Sequence, residues 1–425
     1  MEVARTYGGV VASQLDDHPN RAAALINFGL KAESFRTGHL PDKPMPAAYR
    51  YLNHMAIKSV ADALKHPETL AWTNIFAPVE LLQCFDLECV SVEALSSYFS
   101  GFWIEDSLLD RSDAAGFAPT LCSYHRTFLG GFESGIIPEA KAAITTSLAC
   151  DGNVNTFRHI ATQSHIPLFV IDVPYQKTEE ATRYVVRQLR EAIALLEQAT
   201  GKKFDIDRLR EAIRRENRSK QHYLSFLEKR RKHLYPATLT LTEFTLFATH
   251  LSIGSEWAEK FFEMLDSDVE KYPVDTSHRI FWVHVTPYAE PALASYFNYS
   301  DVYSIAADDF NLDFTGQLDE NHPLEALAEK LIDNVYNGPL SRKVDIVARE
   351  IEHYDCEGAI EFCHWGCRQS AGGAQLLRSK LRDRGIPMLV LDGDAVDRRN
   401  NQDGQIRTRL EAFFELLDGR KGGTA

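Results

Sequence analysis

No run of apolar residues in the 425-residue chain approaches the ~18–20 that a membrane-spanning helix needs, so a membrane protein is not expected. Positive charge is also in short supply. The chain has 46 Lys and Arg against 60 Asp and Glu, a formal charge of −14. Nucleic acids and anionic membranes both select a basic footprint, so neither is an expected partner. The first residues, Met1-Glu2-Val3-Ala4-Arg5-Thr6-Tyr7, lack the charged-then-apolar pattern of a signal peptide, and a cytoplasmic chain is expected. No GxGxxG or Walker sequence follows any candidate strand, which speaks against nucleotide binding in a Gly-rich loop. Cysteine is sparse and odd in number, at seven, so a disulfide framework is not expected. No CxxC pair occurs, against a zinc ribbon or a thioredoxin-type site, and the CxxxCxxC spacing of radical-SAM clusters is missing too.

What is present is the make-up of a globular protein of two or three domains, with 44% hydrophobic and 25% charged residues. Short apolar runs at 70–76, 89–92, 142–153 (ending in a polar, Gly-containing loop) and 166–174 alternate with helical patterns. A second such series begins at 279–285 and continues at 301–306, 358–362 and 386–391. Strands alternating with helices indicate βαβ units and parallel sheets. The expected fold class is α/β, with two Rossmann- or flavodoxin-like parallel-sheet domains and an inserted helical segment. The expected boundaries are 1–68 for an N-terminal helical arm, 69–178 for the first α/β domain, 179–275 for the helical segment and 276–425 for the second α/β domain. In the helical segment Val185, Leu189, Ile193 and Leu196 make an apolar stripe. Arg214, Arg215, Arg218, Lys220, Lys229, Arg230, Arg231 and Lys232 make it basic. They read either as a solvated helix face or as a contact for a phosphate-bearing ligand or acidic partner. A last helix spans about 405–417, and the tail with Gly422-Gly423 is expected to be disordered.

The stretch Phe362-Cys363-His364-Trp365-Gly366-Cys367-Arg368-Gln369 follows a strand and precedes a helix. Its thiols therefore sit at the C-terminal edge of a sheet, where α/β proteins bind ligands. They could be core residues, a redox pair or metal ligands. Cys122 and Cys150 fall at the same kind of edge. Cys356 precedes its strand, and at roughly 3.3 Å per residue it lies on the order of 20 Å from Cys363, too far for a shared site. Cys356 and Cys89 thus read as structural, while Cys84, about a turn into a short helix, remains a candidate. Three cysteines from three loops suit a cubane iron–sulfur cluster. Zinc held by three Cys and one His is the rival, with His364 nearby.

Cys122 in Leu-Cys-Ser-Tyr-His, Cys150 in Ser-Leu-Ala-Cys-Asp and Cys367 in His-Trp-Gly-Cys-Arg-Gln resemble the 2-hydroxyacyl-CoA dehydratase and benzoyl-CoA reductase family, D-component type. So does the C-terminal stretch containing Leu391-Asp392-Gly393-Asp394, Asp397-Arg398-Arg399-Asn400 and Thr408-Arg409-Leu410-Glu411. The resemblance covers most of 70–418. The wording at Trp72-Thr73-Asn74, Ala149-Cys150-Asp151 and His364-Trp365-Gly366-Cys367 is most similar to the double-cubane branch of that family.

The resemblance implies an enzyme, an iron–sulfur oxidoreductase or a 2-hydroxyacyl-CoA dehydratase, doing low-potential one-electron chemistry in an anaerobic setting. Its cluster, a 4Fe–4S cubane or an 8Fe–9S double cubane, is expected on Cys122, Cys150 and Cys367, with Cys363 and Cys84 as further candidate ligands. His364 and Gln369 are the expected donors to negative charge. The implied partners are a separate ATP-dependent activator carrying its own 4Fe–4S cluster, and a second subunit in a homodimer or heterodimer. A double-cubane reductase of small molecules is the leading expectation. The alternatives are a dehydratase or benzoyl-CoA reductase subunit with one cubane, a non-catalytic electron-relay subunit, or a zinc-stabilised scaffold.

Overall fold

The apolar runs at 70–73, 142–146 and 358–364 fold as strands buried on both faces, as a parallel sheet under helices requires. A computed structural model describes residues 2–422, and the tail from 423 on, expected to be disordered, lies outside the described residues. The strands are β1 (Leu70–Thr73), β2 (Glu88–Ser91), β3 (Ala142–Thr146), β4 (Leu168–Ile171), β5 (His278–Val283), β6 (Tyr303–Asp308), β7 (Gly358–His364) and β8 (Met388–Gly393). They form two four-stranded sheets of the same order, β2-β1-β3-β4 and β6-β5-β7-β8, parallel throughout. These are the two expected Rossmann-like sheets. In each the winding reverses beside the first strand, between β1 and β3 and between β5 and β7. The crevice at the C-terminal ends of those strands is the expected ligand site.

One strand end differs from the sequence reading in a way that matters. β7 runs on through Cys363 and His364, both expected on the following turn. Pairing with Asp392 and Gly393 of β8 holds these two residues extended, so their side chains go to opposite faces.

Helices Pro19–His39 and Ala47–Lys65 lay Ile26, Leu30, Ala56 and Val60 on the first sheet, in one cluster with Trp72 and Val90. Trp72 meets Phe128 edge-on at 5.2 Å. On the other face, the stripe Val185, Leu189 and Leu196 of helix Glu179–Thr200 packs with Ala71 and Ile144. Leu327 and Leu331 of helix Pro323–Ile332 share that cluster, so a helix from the second half of the chain covers the first sheet. Thr178 caps the start of Glu179–Thr200 by accepting from Ala181 N, and Gly201 ends it at φ +72°.

The basic residues of helix Ile206–Arg230 do not form a free patch. Arg218 pairs with Glu259, Arg214 with Glu320 and Lys229 with Asp266, and Arg231 just past the helix pairs with Asp355. No helix among the described residues is long and apolar enough to cross a membrane.

Candidate functional site

Three cysteines reach one cavity because three strand-to-helix or loop-to-helix turns end there. Each is the residue that caps a helix N-terminus: Cys122 before Ser123–Glu133, Cys150 before Asp151–Ser164 and Cys367 before Arg368–Ala371. The two sheets deliver Cys150 and Cys367 in the same way. Each follows the third strand of its sheet, and the residue just before it is left-handed, Ala149 at φ +64° and Gly366 at φ +79°. At Gly366 the two halves also touch, since a Cβ there would lie 2.6 Å from the backbone N of Cys122. Only glycine satisfies both the torsion and the approach. The cavity holds about 700 Å³ and is lined by Cys122, Cys150, Cys367, His125 and Gln369 among others.

Each of the three sulfurs touches one imidazole. Cys122 Sγ is 3.2 Å from His364 Nε2, Cys150 Sγ 3.5 Å from His125 Nε2, and Cys367 Sγ 3.4 Å from His284 Nε2. Burial pushes all three imidazoles toward the neutral form, with His125 down to about 4, and Lys343 adds to the effect at His284. A neutral imidazole has one N–H to give. At His364 the tautomer follows from geometry: Nδ1 accepts from Ala395 N at 3.1 Å, so Nε2 carries the proton toward Cys122. Ser123 Oγ, also near that nitrogen, donates to Asp394 Oδ1 at 2.6 Å.

Burial raises the thiols of Cys122 and Cys150, the latter to about 12, and charge on the neighbouring cysteines raises them further. The backbone N–H groups of Asn153 and Gly152 at the helix start partly oppose this at Cys150. With the Cys122 and Cys150 thiols raised, a positive centre is what would favour their thiolate forms. The set therefore fits a metal cluster with thiolate ligands. Among the described residues no three His, Cys, Asp or Glu side chains are grouped as they would be around a single ion.

The other sequence candidates lie elsewhere. Cys363 turns away from His364 into the core beside Val344, Leu377 and Val390, and burial pushes its thiol to about 12. Cys84 is buried near Leu81 and Phe85, and its thiol donates to Glu80 O at 3.3 Å. Neither lines the cavity. Gln369 does, and its Nε2 reaches Tyr336 O at 3.4 Å.

Sequence reasoning missed His125 and His284. His125 stands three residues after Cys122 on the same helix, close to one turn on. His284 is the first residue after β5, so the strand-end argument used for the thiols would have found it.

The family described as 2-hydroxyglutaryl-CoA dehydratase, D-component, matches residues 74–417. The chain is similar to a benzoyl-CoA reductase subunit of Thauera aromatica, 24% identical over 397 residues that cover 81% of this chain and 88% of that one. It is similar to the (R)-phenyllactyl-CoA dehydratase alpha subunit of Clostridium sporogenes, 24% identical over 416 residues, 91% of this chain and 99% of that one. The alpha subunit of (R)-2-hydroxyglutaryl-CoA dehydratase from Acidaminococcus fermentans is 26% identical over 303 residues, 64% of this chain and 60% of that one. The family match takes in β2 to β8 and all three cavity cysteines, and the chain belongs to the 2-hydroxyglutaryl-CoA dehydratase D-component family of enzyme components.

Proposed function

We propose that this chain is the cluster-bearing component of a dehydratase or reductase acting on a CoA thioester, with one 4Fe–4S cubane on Cys122, Cys150 and Cys367. The observation that carries this reading is the convergence of three thiols, each beside a neutral imidazole, on one cavity at the edge where the two sheets meet. When bound, a cubane with three protein thiolates supplies single electrons at low potential and leaves one iron open to an outside ligand.

The chain's own residues bind and orient. His364, His125 and His284 donate N–H toward the three sulfurs and spread the negative charge that reduction adds. Gln369 presents an amide in the cavity to an oxygen of the substrate. Arg158 and Arg368 line the same cavity and suit the phosphates of the CoA thioesters that the relatives' names give. Those names describe subunits, in keeping with a second related subunit here. Electrons are drawn from a separate ATP-dependent activator carrying its own cluster, in the cytoplasm.

A double cubane would need about six thiolates. Cys363 and Cys84 are packed in apolar cores, which favours the single cubane. The test is anaerobic reconstitution followed by iron analysis and EPR. About four irons per chain are expected, lost in Cys122→Ser, Cys150→Ser and Cys367→Ser and kept in Cys363→Ser and Cys84→Ser. About eight irons, or loss in Cys363→Ser, overturns the single cubane, and a chain that takes up no iron overturns the whole reading. Turnover of a 2-hydroxyacyl-CoA with the activator then separates a dehydratase from a reductase of small molecules.

A further inference from the structure

A second cavity is not used by the cluster reading. It holds about 240 Å³ between helix Val92–Gly101 and the segment Leu239–Leu251. Ala94, Phe244, Phe247 and Leu251 give it apolar walls. Polar side chains interrupt them, among them Glu93, Tyr98, Glu243 and Tyr288. Two of these are committed, since Glu243 Oε2 accepts from Thr286 N at 3.2 Å and Tyr288 OH donates to Ser97 O at 3.2 Å. Two oxygens are left over: Glu93 Oε2 and Tyr98 OH are buried with no hydrogen-bond partner, although Asn153 and Ser91 hold the rest of the Glu93 carboxyl. Buried polar atoms without partners are costly, by ~1–3 kcal/mol each, and rarely left so.

Tyr124, two residues after Cys122, lies within electrostatic reach of residues that line both cavities. Its ring is 5.1 Å from that of His364, and its hydroxyl feels Glu243 and Tyr288 as well as Cys122 and Asp394. Its own OH is also buried and unpartnered. Glu93 in turn acts on the charge of Cys150.

We propose that this cavity binds a small uncharged molecule, an apolar ring or branched chain carrying one hydrogen-bonding oxygen. The apolar walls exclude a charged or phosphorylated ligand. A dry apolar cavity of ~150 Å³ takes benzene, so this one takes a ring with about one or two further heavy atoms. The ligand oxygen meets Glu93 and Tyr98. Burial lifts the Glu93 carboxyl to about 7 and that of Glu243 to about 8, so near neutral pH a share of each keeps an acid proton that can be donated to a carbonyl. The binding does not depend on the cluster reading.

Cyclohexanone is the probe, titrated into the iron-loaded protein by calorimetry, with benzene as the probe that lacks the oxygen. Ala94→Phe fills the cavity from the helix. Gly101→Leu fills it from a position where a Cβ has nothing within 4 Å, so at least one variant keeps the fold. Cyclohexanone affinity is expected to drop by at least about tenfold in both. Glu93→Leu is expected to weaken cyclohexanone and leave benzene unchanged. Absence of binding in the parent protein, or equal binding in the parent and both filled variants, overturns the proposal. Iron content is read in parallel. Cyclohexanone binding to a chain that takes up no iron sinks the cluster reading and leaves the cavity standing, while full iron uptake without binding does the reverse.

Discussion

At the scale of single residues the informative unit is a thiol and its imidazole. His364 is fully enclosed and its two nitrogens have fixed tasks, Nδ1 accepting from Ala395 N and Nε2 facing Cys122 Sγ. An N–H aimed at sulfur favours the more negative, reduced state of whatever the thiolates bind. His364→Ala is therefore expected to keep iron but lower the midpoint potential, by on the order of 60 mV, the one-electron equivalent of ~1.4 kcal/mol. An EPR-monitored redox titration reads this directly, and an unchanged potential would remove His364 from that role. The three cavity thiols were legible in the sequence because strand ends are legible. The imidazoles were less so, since a lone histidine such as His284 carries no spacing signal until β5 is seen to end just before it. Cys363 shows how much one residue of register decides. Read on a turn it is a ligand candidate, but read on β7 it must face away from His364.

At the scale of elements, two sheets of one winding order present equivalent turns to each other. The loop after β3 and the loop after β7 both use a left-handed residue to swing the chain into a helix whose first cap is cysteine. The alternation of strands and helices made this architecture readable. The left-handed residue before Cys150 was not, because it is Ala149 rather than glycine. Gly366 carries the heavier constraint. Gly366→Ala meets both the positive φ and a backbone atom of Cys122 at 2.6 Å. Gly116→Ala, at φ +89° with open space around it, meets only the first. The expected loss of stability is about 1 kcal/mol for Gly116→Ala, and about 2 kcal/mol or more for Gly366→Ala. Only Gly366→Ala should also lose iron. Equal melting temperatures for the two variants would mean that the contact with Cys122 does not constrain the turn.

At the scale of the whole molecule, the halves are joined away from the thiols by a buried charge cluster. Lys330, on the helix Pro323–Ile332 that crosses onto the first sheet, reaches Glu80 Oε1 at 2.5 Å and Glu216 Oε1 at 2.7 Å. Lys220 pairs with Glu216 at 2.6 Å. Glu80 and Glu216 are both completely enclosed. Burial, together with the negative charge of Glu216, lifts the Glu80 carboxyl to about 8, although Lys330 opposes the shift. A carboxyl raised in the folded state holds its proton where the unfolded chain has released it. Its contribution to stability is thus full below about pH 4.5 and is lost as the pH rises to about 8. Burial raises Glu93 and Glu361 with the same sign, so the fold as a whole is expected to weaken on the alkaline side. Glu80→Gln keeps a hydrogen-bonding amide and cannot ionise. Its melting temperature should fall less between pH 6 and pH 9 than that of the parent protein, with a difference on the order of a few kcal/mol in stability. Parallel melting curves for parent and variant across that range would mean that Glu80 is ionised in the fold, held by Lys330 as an ordinary ion pair.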